Sequence, residues 1–242
     1  MKIAGLQKLT LLDYPGRLAA DLFLPGCNFR CPFCQNSSLV LPDSITQDKA
    51  SGISEEELFH FLRKRAGILD GICITGGEPT LHKELPELIR RIRALGYQIK
   101  LDTNGTNPDM LTALCNDGLL DFVSMDIKSG HRNYPKTAGL DGDCTHLMKK
   151  VETSVDFLLA GSIDYEFRTT VVKGLHTSED FEDISRWIEG CRAYWLQSFR
   201  DCDSILLPDH SFSAYTEEEM HHFLRIVRKT IPHARLRGSE TE

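Results

Sequence analysis

After residue 50 the chain alternates short runs of β-forming apolar residues with longer stretches whose apolar residues recur at helical spacing. Two of these stretches open with Ser-Glu-Glu-Glu at 54–57 and Thr-Glu-Glu-Glu at 216–219. Each is a capping box, in which the hydroxyl and the third glutamate satisfy backbone N–H groups at the start of a helix. The boxes predict helices that run to about Gly67 and to about Lys229.

The same alternation fills the chain between these two helices, and one apolar run precedes them. Residues 4–14 are predicted to add a small hairpin beside the first strand, and the polar residues 129–143 to form a long loop. The predicted strands are 19–24, 71–75, 97–101, 122–127, 165–172, 193–199 and a short one near 234–236, and the further helices are 83–95, 108–115, 146–159 and 178–188.

Strand–helix alternation predicts a parallel sheet joined by right-handed crossovers. Six strand–helix units are too few for a complete eight-fold barrel, so the expected fold is a partial (β/α)6 TIM-type barrel of the α/β class. We expect residues 1–242 to form a single domain, with 1–18 as an N-terminal extension or hairpin and 19–237 as the barrel core. Functional groups of such barrels lie on the loops that leave the C-terminal ends of the strands.

The composition is that of an ordinary globular protein, with 41% hydrophobic and 26% charged residues among 242. The net charge of −7 argues against a general nucleic-acid binder. The sequence has no apolar run of about 18 residues, so we expect no membrane span. Its N-terminus lacks the apolar stretch of a signal peptide, which predicts a cytoplasmic location.

Three of the eight cysteines, Cys27, Cys31 and Cys34, lie within eight residues directly after the first predicted strand. A disulfide framework is not expected, because the chain is long and carries no secretion signal. Thiolates at this spacing on a loop can converge on one soft metal centre. The other five cysteines, at positions 73, 115, 144, 191 and 202, are too dispersed to bind a second cluster locally.

The number of nearby cysteines narrows the kind of metal centre. A [4Fe–4S] cluster normally takes four cysteine ligands, so three would leave one iron open to a substrate or cofactor. A structural zinc site would need a fourth ligand at regular spacing, and neither histidine nor cysteine offers one nearby. A redox pair or structural free thiols would not need three cysteines at this spacing.

Two motifs on consecutive strand exits resemble those of the radical S-adenosylmethionine (SAM) enzymes. Residues 27–34 match their Cys-x3-Cys-x2-Cys signature, with the aromatic Phe33 just before the third cysteine. Residues 75–79, Thr-Gly-Gly-Glu-Pro, are similar to the motif that receives the methionyl ammonium group of SAM in that superfamily. Glycines at this point also let the backbone approach a ligand closely.

Polar groups stand at four further strand exits. Each alone would be an ordinary solvated strand end, but together they form a ring of acid, amide and cation that suits a zwitterionic cofactor with a ribose. The motifs are Asp-Thr-Asn-Gly at 102–105, Met-Asp-Ile-Lys at 125–128, Arg-Thr-Thr at 168–170 and Gln-Ser-Phe-Arg at 197–200.

With the opening residues 5–16 and with 167–172, these motifs resemble the glycyl-radical-enzyme activases over nearly the whole chain. The subgroup they resemble is usually called anaerobic ribonucleoside-triphosphate reductase activating protein. The resemblance implies that the three clustered cysteines bind a [4Fe–4S] cluster and that Asp102 and Asp126 share a monovalent cation. The implied SAM contacts are Gly76, Gly77 and Glu78 at the amine, Thr103, Asn104, Asp126 and Lys128 at the carboxylate and ribose, Arg168 at the carboxylate, and the Phe33 backbone and Gln197 near adenine.

The resemblance also implies a reaction. An electron from flavodoxin or ferredoxin cleaves SAM reductively, and the resulting 5′-deoxyadenosyl radical takes hydrogen from a glycine of a partner enzyme; the cofactor supplies the hard chemistry. Two alternatives stay open: a radical SAM enzyme acting on a small molecule or an RNA base, and a non-catalytic iron–sulfur redox module. The second alternative predicts that Glu78, Asp126 and Lys128 are dispensable.

Overall fold

The computed structural model describes residues 1–40, 52–161, 163–207 and 211–238. Their strands form one eight-stranded sheet in which spatial order follows chain order. The strands are β1 (Gly5–Thr10), β2 (Ala19–Leu24), β3 (Gly71–Gly76), β4 (Gln98–Thr103), β5 (Phe122–Asp126), β6 (Asp164–Val171), β7 (Tyr194–Ser198) and β8 (Arg235–Arg237).

Helices connect the strands as the alternation predicted. The capping boxes expected at Ser54 and Thr216 are both present, and a third lies at Thr177, where Asp180 completes the box. The helices of the described residues are α1 (Ser37–Val40), α2 (Glu55–Arg65), α3 (Leu85–Arg93), α4 (Pro108–Asn116), α5 (Tyr134–Ala138), α6 (Thr145–Leu159), α7 (Ser178–Trp187) and α8 (Glu217–Arg228), and a short 3₁₀ helix covers Pro79–Leu81.

Strands β2 to β8 run parallel to one another, which confirms the expected partial barrel. Strand β1 runs antiparallel to β2. The predicted hairpin within residues 4–14 is therefore corrected: this segment supplies one strand, and the second arm of the hairpin is β2 itself. The arms are joined by the loop 11–18, where Gly16 adopts a positive φ of 68°.

The segment 129–143, predicted as a loop, contains the short helix α5. Proline at its second position suits a helix start, and Gly139 in the left-handed conformation ends it. The ring of Tyr134 is fully buried between Phe29 and Trp187, at centroid distances of 6.2 and 6.0 Å. Long-range packing therefore stabilises a helix that the local polar sequence does not announce.

Alternation along the strands sorts side chains onto two faces of the sheet. On β2, Ala20 and Leu22 belong to the apolar core, while Asp21 between them lines the inside of the barrel. On β4, Leu101 joins the core and Asp102 faces inward. The interior of the barrel is thus lined by polar and charged side chains rather than by apolar layers.

Candidate active site

A cavity of about 400 Å³ lies at the C-terminal ends of the parallel strands. This is the edge where (β/α) barrels carry their functional groups. The site residues predicted from the sequence all line it: Cys27, Cys31, Phe33, Cys34, Gly76, Gly77, Glu78, Asp102, Thr103, Asn104, Asp126, Lys128, Arg168 and Gln197. The structure brings them together; which atom of a ligand each would contact stays a prediction.

The three clustered cysteines occupy the loop that follows β2. Burial raises the pKa of the Cys27 thiol to about 11 and of the Cys31 thiol to about 12, and it raises the pKa of Cys34 as well. The thiols are therefore protonated at neutral pH unless a metal deprotonates them by coordination. Within the described segments no three His, Cys, Asp or Glu side chains converge on a single metal ion. A four-iron cluster, by contrast, spreads its cysteine ligands over separate irons.

Helix α5 holds one side of this cysteine loop. The backbone N–H of Arg30 donates to the Ala138 carbonyl at 2.9 Å, and the Phe29 ring contacts Tyr134 edge-on. Gly139 is required here, because a Cβ at that position would lie 1.9 Å from the Arg30 carbonyl oxygen. The helix missing from the sequence prediction thus supports the loop that carries the thiols.

The segment after β7 covers the other side of the cysteine loop. The N–H groups of Leu206 and Leu207 donate to the carbonyls of Cys34 and Pro32, both at 3.0 Å. The Gln35 side-chain amide donates to the Arg200 carbonyl at 2.7 Å. These bonds fix the third cysteine against residues 200–207, which sequence spacing gave no reason to place there.

Gly76 and Gly77 make room for backbone, not only for a ligand. Gly76 has a φ of 114°, and a Cβ on it would lie 2.5 Å from the Leu24 carbonyl oxygen. A Cβ on Gly77 would lie 1.9 Å from the Gly26 carbonyl oxygen. The same close approach lets the Glu78 N–H donate to Gly26 at 2.8 Å. The two glycines therefore join the exit of β3 to the cysteine loop.

We expect Gly77→Ala to bind less than half of the wild-type iron after anaerobic reconstitution, since the added methyl group pushes the cysteine loop away. Gly5→Ala is the matched control, because its Cβ would meet only the Phe23 side chain at 3.9 Å. Iron and sulfide contents per chain measure the difference. Equal contents in Gly77→Ala and the wild type would show that the two loops do not need this contact.

Glu78 is fully buried, and both of its carboxylate oxygens accept hydrogen bonds within the protein. Oε1 accepts from the Thr80 N–H at 3.1 Å, the Thr80 hydroxyl at 2.5 Å and the Thr103 hydroxyl at 2.8 Å, and Oε2 accepts from the Asn104 N–H at 2.6 Å. Burial raises the pKa of this carboxyl, and the four hydrogen bonds oppose the shift. In the structure this side chain joins the exits of β3 and β4, and its contact with a methionyl amine stays a prediction.

The Asn104 side chain is also hydrogen-bonded within the protein. Its side-chain amide donates to the side-chain Oδ1 of Asn28 at 2.9 Å and lies 4.0 Å from the Cys27 sulfur. Asn28 donates in turn to the Thr106 hydroxyl at 2.8 Å. The Asp-Thr-Asn-Gly motif thereby positions the first cysteine of the loop, a role that the motif alone did not reveal.

Five alternating charges, which we call the charge ladder, run from the barrel interior to the cavity: Lys100, Asp102, Arg168, Asp126 and Lys128. Arg168 lies between the carboxylates, 3.5 Å from Asp102 and 3.0 Å from Asp126, and Lys128 bonds Asp126 at 2.9 Å. Lys100 contacts the other oxygen of Asp102. Although burial opposes the shift, Lys128 and Arg168 lower the pKa of Asp126 to about 2.

The residues that line the cavity but were missed from the sequence include Gln7 and Asp13 from the N-terminal segment, and Asp21 and Phe23 from β2. Asp21 is 2% exposed, and its Oδ1 has no hydrogen-bond partner among the described residues. Burial, reinforced by the nearby Asp13, raises the pKa of Asp21 to about 7. An acidic residue inside an otherwise apolar strand was the available signal.

The family of the chain follows from its sequence as a whole. The family model of the Radical SAM superfamily matches residues 22–188. This range is more than half of the chain and includes the cysteine loop and the strand exits up to β6. The chain belongs to this superfamily.

Two named proteins and one solved structure are similar to this chain. A protein of Methanocaldococcus jannaschii, provisionally named a glycyl-radical enzyme activating enzyme, is 30% identical over 97% of this chain and 95% of its own length. The 7-carboxy-7-deazaguanine synthase of Halobacterium salinarum is 24% identical over 76% of this chain and 66% of its own. The crystal structure of Streptococcus suis SuiB bound to SAM shares the fold, with a TM-score of 0.66 and 12% identity over 90% of this chain and 52% of SuiB.

Membership of the superfamily implies SAM and a [4Fe–4S] cluster, and the residues present fit both groups. Three thiols stand on one wall of the cavity, which suits a cluster with one iron left for another ligand. The cavity is also lined by the carboxylates of Asp102 and Asp126, the Lys128 ammonium group and the Arg168 guanidinium group, which suit the amino acid end of SAM. Among the helices of the described residues, none is long and apolar enough to cross a membrane.

Proposed function

We propose that this chain is a radical SAM activase, which generates a glycyl radical on a partner enzyme, the anaerobic ribonucleoside-triphosphate reductase. The observation that carries the proposal is the meeting of the three cysteine thiols and the strand-exit groups in one cavity. The similarity to the M. jannaschii protein over almost the full length of both chains supports the activase assignment. The proposal includes flavodoxin or ferredoxin as electron donor and a cytoplasmic location, where thiols stay reduced.

When bound, the cluster and SAM supply the reductive cleavage of SAM that yields a 5′-deoxyadenosyl radical. The chain's own residues hold and orient these groups. Cys27, Cys31 and Cys34 would be the ligands of the cluster, and Lys128 and Arg168 of the charge ladder would face the methionyl carboxylate. Gln197 and the Phe33 backbone lie on the wall proposed for adenine.

Exposed leucines at the end of β1 and in the segment between β1 and β2 support a protein as substrate. Leu9, Leu11 and Leu12 are 52%, 70% and 83% exposed and lie within four positions of one another. The next residue, Asp13, lines the cavity. Clustered apolar side chains in water are typical of a surface that another protein covers. Because the loop 11–18 enters β2 at its first residue, this surface lies at the N-terminal end of the barrel, so a partner bound here would have to extend around the barrel to bring its glycine to the C-terminal strand ends.

The second candidate is a radical SAM enzyme that acts on a small molecule. The similarity to 7-carboxy-7-deazaguanine synthase favours it, although that match spans less of both chains. A small substrate gives no reason for three exposed leucines at the end of β1 and in the segment between β1 and β2. The two candidates differ in the molecule that carries the product radical.

We expect anaerobic mixing of the reconstituted protein with SAM, dithionite and the candidate reductase to give the carbon-centred EPR doublet of a glycyl radical. If no doublet appears with any glycyl-radical enzyme encoded beside this chain, the small-molecule candidate replaces the activase.

The double variant Leu11→Glu/Leu12→Glu should lower the yield of glycyl radical by about tenfold, because it places two charges where a partner would bury apolar groups. Formation of 5′-deoxyadenosine without the partner should stay at the wild-type rate. Ile68→Glu, at a site 55% exposed in the loop before β3, is the matched control and should change neither. An unchanged radical yield in the double variant would remove the leucines from the docking surface.

A further inference from the structure

All four oxygens of the Asp102 and Asp126 carboxylates face a cation of the protein. Asp102 contacts Lys100 through Oδ1 and Arg168 through Oδ2, at 3.5 Å for the latter. Asp126 contacts Arg168 through Oδ1 at 3.0 Å and Lys128 through Oδ2 at 2.9 Å. The monovalent cation implied by the resemblance does not fit this arrangement, because the oxygens it would use are already taken.

Lys100 is the member of the ladder that the motifs do not contain. It lies within β4, two positions before Asp102, so both side chains point into the barrel. Its side chain is 0% exposed, and its ammonium group contacts Asp102 and lies 3.6 Å from the Cys73 sulfur. A buried ammonium is costly unless it is paired, so this lysine is tied to the Asp102 carboxylate.

The charges of the ladder also match the ligand proposed for it. Three cations and two carboxylates leave one net positive charge, which one methionyl carboxylate would balance. A bound monovalent metal ion would raise the net positive charge of the ladder from one to two, next to the guanidinium group of Arg168. Glu166, the next inward carboxylate on β6, does not add to the count, because it pairs with Arg237 at 2.9 Å. The Asp21 carboxyl also lies near Lys100. Because burial raises the pKa of this carboxyl to about 7, it carries only part of a negative charge at neutral pH.

We propose that Lys100 does the work of the monovalent metal ion in this chain, so that SAM binds independently of Na⁺ and K⁺. The ammonium group neutralises Asp102 from inside the barrel and frees Arg168 to face the cavity. Lys100 is thus a positioning residue, which acts on SAM through Asp102 and Arg168. The inference rests on the proposed function, since it concerns the site at which SAM is proposed to bind.

The first test uses the reconstituted wild-type protein. The dissociation constant for SAM is measured by calorimetry in KCl, NaCl and tetramethylammonium chloride at equal ionic strength. We expect the three constants to agree within about twofold. Binding weaker by about tenfold in tetramethylammonium alone would overturn this inference and leave the proposed function in place. Absence of SAM binding in all three salts would remove both.

The second test uses Lys100→Met, which keeps the length of the side chain and removes its charge. In this variant the inner oxygen of Asp102 becomes available, so K⁺ or Na⁺ should strengthen SAM binding by about tenfold over tetramethylammonium. K⁺ should also raise the Tm of the cofactor-free variant and leave that of the wild type unchanged. Lys149→Met, at an exposed position on α6, is the control and should behave as the wild type.

SAM affinity in Lys100→Met that is equal in all three salts would overturn the inference, because it would show that no cation is needed at this carboxylate. If the variant does not fold, the comparison of salts on the wild-type protein decides the question alone.

Discussion

Replacing Cys31 with alanine abolishes the iron–sulfur cluster and lowers 5′-deoxyadenosine formation to background. Cys31 is the most buried of the three clustered cysteines, at 7% exposure, and lies between the other two in the loop. Two thiols cannot hold a four-iron cluster against exchange with solvent, and no other cysteine lines the cavity among the described residues. Iron and sulfide content, the EPR signal of the reduced protein and product chromatography each measure the loss.

Cys115→Ala is the matched control for Cys31→Ala. Cys115 lies on α4, partly buried and outside the cavity, so its removal should leave both the cluster and the product unchanged. The assignment of the cluster to the loop after β2 is contradicted if Cys31→Ala retains wild-type iron, or if Cys115→Ala loses it.

Glu78→Ala should destabilise the cofactor-free protein by roughly 3 to 5 kcal/mol, because it strands four buried donors at the exits of β3 and β4. The donors are the Thr80 and Asn104 N–H groups and the Thr80 and Thr103 hydroxyls. SAM-dependent activity should be lost with the shape of the cavity. Urea unfolding of the cofactor-free protein measures the free energy without contribution from any ligand.

The control for Glu78 is Glu87→Ala, at a side chain 67% exposed on α3, which should change the free energy of unfolding by less than about 0.5 kcal/mol. A Glu78→Ala protein that is as stable as the wild type but binds SAM weakly would contradict the structural role. In that case the carboxylate would act on the ligand directly, as the resemblance alone had suggested.

The barrel could be predicted from the sequence because its signals are local. Strand β2 was predicted at its observed bounds, and the capping boxes at Ser54 and Thr216 marked true helix starts. Helix α5 was missed because its stability comes from long-range contacts, with the Tyr134 ring between Phe29 and Trp187. A Tyr-Pro-Lys-Thr-Ala segment flanked by polar and glycine residues carries no such information.

The residues that line the cavity were also predictable from the sequence, whereas the hydrogen bonds between them were not. Motifs at successive strand exits identify Glu78, Asn104 and Arg168 because parallel strands end at one edge. Their partners depend on which loops approach one another in space. Glu78 bonds to the exit of β4, and Asn104 bonds to Asn28 in the cysteine loop.

Lys100 and Asp21 show a different limit of prediction from the sequence. Asp21 stands in β2, whose other residues are apolar, and Lys100 stands between Ile99 and Leu101 in β4, so period-two alternation alone could have flagged both. What alternation could not supply is the pairing of Lys100 with Asp102 or the proximity of Asp21 to Asp13. The charge ladder is therefore a property of the folded barrel.

The most direct test of the account is anaerobic reconstitution of the purified chain with iron and sulfide, followed by SAM and dithionite. We predict that the protein binds a [4Fe–4S] cluster and converts SAM to methionine and 5′-deoxyadenosine in equal amounts. A chain that holds the full cluster and forms no 5′-deoxyadenosine would contradict radical SAM chemistry at this cavity.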